Sequence, residues 1–105
     1  MRLSPPSFRN VCYHAQQSAE KTLKAFLVYH GQVPPKTHDC ADLLVECMKH
    51  DTALVLLRPD CALVTRYGIA PRYPDIALPI TKEDARDALA ALRRIRAVAP
   101  ALLPP

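Results

Sequence analysis

The chain has 105 residues, half of them hydrophobic, a net charge of +4 and four cysteines. That length holds one domain with one small core, and no apolar run reaches the roughly 20 residues of a membrane span. The first eight residues lack the apolar stretch of a signal peptide. Cys12, Cys40, Cys47 and Cys61 form no C-x-x-C pair and read as buried free thiols of a cytoplasmic protein.

Residues 1–7 carry Pro5-Pro6 and are expected to be extended, with Ser7 an N-cap. The longest helical pattern follows and ends at Gly31, a C-cap, ahead of Pro34-Pro35. At 100° per residue, Phe8, Cys12, Ala15, Ala19, Leu23, Phe26 and Leu27 share one face, and His14, Ser18 and Lys21 the opposite one. Arg9, Tyr13, Gln16, Glu20 and Lys24 form a polar edge between them, with the last three stacked at i, i+4, i+8.

Gln32 to Lys36 reads as a loop, and Thr37 or Asp39 as the cap of a second helix over residues 40–50. Its apolar side is Ala41, Leu43, Leu44, Cys47 and Met48. Asp51-Thr52 breaks the pattern, and residues 53–57 form a short apolar link, helical or extended. Pro59 suits the first turn of a third helix that reaches Tyr67 and ends at Gly68, with Leu63, Val64 and Tyr67 inward. Ile69 to Ile80 holds Pro71, Pro74 and Pro79, a loop long enough to suggest function. Thr81 caps the last helix, with Glu83 and Asp84 in its first turn and a stripe of Ala85, Ala88, Leu89, Leu92, Ile95 and Val98. Its arginines, Arg86, Arg93, Arg94 and Arg96, read as a solvated face. Pro100 should stop it, leaving residues 99–105 as a tail. With no strand-period segment, phosphate loop or repeat, the pattern specifies an all-α, antiparallel up-and-down bundle of about four helices.

Three motifs in order carry a family resemblance. Residues 15–25 read AQQSAEKTLKA, residues 35–44 read PKTHDCADLL, and residues 72–75 read RYPD. Together they resemble the HEPN domain family. The resemblance implies a further helix ahead of the Gln-Gln helix. Residues 1–7 leave no room for it, so either the start is truncated or a second chain covers that face; the resemblance implies a homodimer. It also implies a nucleotide, RNA or protein ligand, no cofactor, and often a minimal nucleotidyltransferase partner in a toxin–antitoxin pair.

Many members cut RNA without metal through an Arg and a His four to six residues apart, and Arg9 with His14 has that spacing. A His takes the proton of a ribose hydroxyl and an Arg stabilises the phosphate. Five residues separate them by about 140° around a helix, so they share a face only if the helix starts between them. The other candidate site is the polar edge. Glu20, with Gln16, should be hydrogen-bonded if buried, and Arg72 of the RYPD loop is its expected partner. That cluster reads as an internal lock or as a nucleotide site formed by Gln16, Glu20, Lys21, Lys24, Arg66, Arg72, Tyr73 and Asp75. Tyr73 is expected to pack beneath the loop or stack a base, and Asp75 to form a turn. His38 reads as a capping and packing residue. Cys40 and Cys47 stand about 10 Å apart along a helix, too far for one zinc ion with His38 and His50, so no metal is expected. Three functions remain: a binding module, a metal-independent endoribonuclease using Arg9 and His14, or a structural oligomerisation bundle.

Overall fold

The computed structural model describes residues 7–66 and 80–101, with the side chains of 100 and 101 left aside. Among the described residues the chain is all-α: α1 (Phe8–Tyr29), α2 (Cys40–Met48), α3 (Arg58–Thr65) and α4 (Lys82–Ala101), with a 3₁₀ segment, Thr52–Leu57, between α2 and α3. α1 packs most extensively on α4, and α2 and α3 complete the bundle around it.

Four helix ends are chemically specified. Ser7 accepts the Asn10 N–H at the start of α1. At its end Gly31 takes a positive φ of 78°, which costs a glycine little. The Gly31 and Gln32 N–H groups then donate to the Val28 and Leu27 carbonyls, the paired bonds of a Schellman motif. Asp39 Oδ1 accepts from the Ala41 and Asp42 N–H groups and starts α2. Thr81 and Asp84 exchange side-chain and backbone bonds at 3.1 and 2.9 Å, a reciprocal capping box at the start of α4.

The core is built on α1, whose Cys12, Ala15, Ala19, Leu23, Phe26 and Leu27 are buried among Leu43, Leu44, Leu54, Leu57, Val64 and Ile95. Burying each large aliphatic side chain stabilises the fold by about 1.5–3 kcal/mol. Phe8, on the same face, is 41% exposed because it lies at the open end of the helix. On α4 the buried stripe is Ala85, Ala88, Ala91, Leu92, Ile95 and Ala99, while Leu89 and Val98 are only half-buried. Small residues are buried on both helices of the α1–α4 pair, Cys12, Ala15 and Ala19 on α1 and four alanines on α4. Small side chains on both helices permit close approach, and the larger ones move to the margin.

Two boundaries differ from the sequence reading. α2 stops at Met48, where Asp51 caps the 3₁₀ segment through the Ala53 N–H. α3 starts at Arg58 with Pro59 in its first turn, as expected. α4 does not stop before Pro100 but runs to Ala101, and Ala99, assigned to the tail, is in the core. A proline one residue from a helix end forfeits a single intrahelical bond, too little to end a helix held by packing. Tyr67 and Gly68, the expected end of α3, lie outside the described residues, as do residues 1–6.

Candidate functional site

The polar edge of α1 faces the segment that leads into α2. Gln16 is fully buried and Glu20 is 7% exposed. Gln16 Nε2 donates to Glu20 Oε1 at 3.2 Å and to the His38 carbonyl at 2.8 Å, while its Oε1 accepts from Gln17 Nε2 at 2.7 Å. Lys24 Nζ reaches Glu20 Oε2 at 3.0 Å. His38 Nδ1 sits 3.2 and 3.1 Å from the two Glu20 oxygens. Burial alone would raise the Glu20 pKa, but hydrogen bonds from Lys24, His38 and Gln16 outweigh it and hold the carboxyl below its usual range. Glu20 is therefore an acceptor only, which places the proton of a neutral His38 on Nδ1.

The lead-in segment is itself pinned. The Thr37 N–H donates to the Pro35 carbonyl at 2.9 Å, and Thr37 Oγ1 accepts the Asp39 N–H at 3.1 Å. Thr65, at the end of α3, holds its hydroxyl 2.7 Å from the Cys61 carbonyl and 3.4 Å from Asp39 Oδ1. Arg66, exposed, follows Thr65. The site thus joins the middle of α1, the start of α2 and the end of α3.

Of the sequence-predicted ligand residues, the structure brings Gln16, Glu20 and Lys24 into one network. Lys21 is exposed on the neighbouring face of α1. Arg72, Tyr73 and Asp75, including the expected Arg72–Glu20 pair, lie outside the described residues. Arg9 and His14 are not brought together within one chain: α1 begins at Phe8, ahead of both, so they point about 140° apart.

Two features escaped the sequence reading. His38 supplies the partner to Glu20, and the THD tripeptide of the second motif was the signal that could have found it. Asp60, 6% exposed, accepts from Arg94 Nε at 2.9 Å and Arg94 Nη2 at 2.7 Å, so one arginine of the presumed solvated face ties α4 to α3.

At the far end of α1, the His30 and His50 rings stack at 4.7 Å, and His50 Nε2 lies 2.6 Å from Gln32 Oε1. Gln32 in turn donates to Glu46 at 2.9 Å. An open surface hollow of about 340 Å³ lies over α2, lined by Pro35, Thr37, Asp42, Val45 and Glu46. None of the predicted ligand residues lines it. Among the described residues no three His, Cys, Asp or Glu side chains are grouped to hold a metal, and no helix is long and apolar enough to cross a membrane.

The family model for the HEPN domain matches residues 4–102, nearly the whole chain. The chain belongs to the HEPN domain family. No curated protein and no solved structure gives a match. The HEPN match spans the Gln-Gln helix, the lead-in to α2 and the RYPD motif, the three stretches from which the resemblance was first drawn.

Proposed function

We propose that this HEPN domain is a binding module that takes a nucleotide or a short RNA at the polar edge of α1, and that it works as a cytoplasmic homodimer beside a minimal nucleotidyltransferase in a toxin–antitoxin pair. The observation that carries the binding reading is the Gln16–Glu20–Lys24–His38 network. The Glu20 carboxylate is paired with the Lys24 ammonium and hydrogen-bonded by His38 Nδ1. Lys24 keeps further N–H donors beyond the one it gives to Glu20. Lys21 and Arg66, both exposed, add cationic groups suited to phosphate. In this reading Arg72, Tyr73 and Asp75 complete the site.

The test is ligand-induced stabilisation. A ligand at 100 times its dissociation constant stabilises the fold by about 2.7 kcal/mol. A melting temperature that rises with ATP or oligoadenylate, and no longer rises in Lys24→Ala or Arg72→Ala, fits the proposal. No rise with any nucleotide or RNA rejects it. Sedimentation tests the homodimer, and co-purification with the product of a neighbouring nucleotidyltransferase frame tests the pair. Endoribonuclease action through Arg9 and His14 would require the two residues to come from different subunits, and unchanged RNA cleavage in His14→Ala would exclude it.

A further inference from the structure

Among the described residues the four histidines have different partners. His14 meets only the Tyr13 ring, 6.0 Å away. His30 is stacked among Phe26, Tyr29 and His50. His50 uses Nε2 on Gln32. His38 alone bonds to a carboxylate, through Nδ1 to a side chain that is 9% exposed, while its own ring is 69% exposed. Its backbone is fixed as well, because its carbonyl accepts from buried Gln16 and the next residue caps α2. Among the described residues Nε2 has no hydrogen-bond partner. The buried carboxylate fixes the tautomer with the proton on Nδ1, which leaves Nε2, on the exposed side of the ring, for a ligand.

We propose that the Glu20–His38 pair is the ribose-reading element of the nucleotide site, with His38 Nε2 accepting a hydrogen bond from a ribose 2′-hydroxyl. This rests on the nucleotide-binding reading above. The argument is one of matched chemistry and spacing. A neutral imidazole nitrogen is an acceptor only, so it needs a donor on the ligand, and the 2′-hydroxyl is the donor that separates ribonucleotides from deoxyribonucleotides. Lys24 and His38 bond the same oxygen, Glu20 Oε2, at 3.0 and 3.1 Å. A cation and an acceptor therefore flank one carboxylate, as a phosphate and a 2′-hydroxyl flank one sugar. Glu20 acts as a positioning residue: it touches no ligand and sets which ring nitrogen carries the proton.

The experiment compares binding of a four-residue oligoadenylate with its 2′-deoxy counterpart at pH 8, and reads the ring ¹⁵N shifts of His38 in the same protein. The expected preference for the ribose form is about tenfold, the worth of one hydrogen bond. His38→Asn keeps a donor where Nδ1 stood and removes Nε2. It should fold, bind both oligomers and lose the preference. The ¹⁵N shifts should show the proton on Nδ1. Equal binding of the two oligomers by the parent, a preference that survives in His38→Asn, or a proton on Nε2 overturns this inference while leaving the binding module intact. Binding of neither oligomer removes both.

Discussion

Glu20→Ala is the sharpest test of the network. The substitution removes three bonds. The Lys24 pair is an i, i+4 contact with a part-exposed partner, worth about 0.3–0.5 kcal/mol. The bonds from His38 and Gln16 are each worth about 0.5–1.5 kcal/mol net. Gln16 is not left orphaned, because its Nε2 still has the His38 carbonyl. The expected loss is therefore about 1–3 kcal/mol, a fall of at least about 5 °C in melting temperature for a domain of this size. Urea unfolding at a series of pH values provides the assay. The folded-state pKa of Glu20 is lowered. Its charge thus contributes fully above the ordinary carboxyl pKa, and that contribution is lost as pH falls through the folded value. The gap between parent and variant should be full at pH 7 and narrow in acid. An unchanged urea midpoint at pH 7 refutes the network's energetic role. A gap that stays constant into acid would show that the side chain contributes by packing and not by charge.

Two further outcomes follow from buried groups. Arg94→Ala leaves Asp60 buried and unpaired, so it should lower the melting temperature more in the parent than in an Asp60→Asn background; equal losses would show that the two do not interact. The cysteines are buried and unbonded. Burial pushes the Cys12 thiol up to about 11 and the Cys40 and Cys47 thiols up to about 12, and raises Cys61 as well. Ellman's reagent at pH 8 should therefore label none in the folded protein and all of them in denaturant; fast labelling of the native state would contradict the core described.

The helices were legible because their signals are local. The α1 face follows from spacing, and the caps at Ser7, Asp39 and Thr81 follow from side chains that reach their own helix ends. The α4 stripe was misread at two places, with Leu89 and Val98 chosen over Ala91 and Ala99. Hydrophobicity favours the larger residues, but the contact with α1 selects the smaller ones, and that choice depends on a partner helix about 70 residues away in the chain. The same limit applies to the site. Gln16, Glu20 and Lys24 stack at helical spacing, so their grouping needed no tertiary knowledge. The bond from His38 to Glu20 spans 18 residues and the one from Arg94 to Asp60 spans 34. Neither leaves a periodic trace, and an arginine on an otherwise exposed face does not announce which neighbour it will reach.

A helix made only to fill a core would not carry a carboxylate and an amide where α1 carries Glu20 and Gln16. An apolar pair of similar volume at those positions is commonly neutral or stabilising, because burying charge costs as much as pairing it returns. The alanines and leucines that flank them, from Ala15 to Leu23, show that the chain does supply small and apolar side chains at the adjoining turns. Polar groups kept at the margin of such a core, fully hydrogen-bonded and opening onto one exposed imidazole, depart from the amphipathic pattern of α1. Such local departures are where function is expected. That is why the network, more than the exposed arginines of α4 or the hollow over α2, is the part of this fold that a ligand should find.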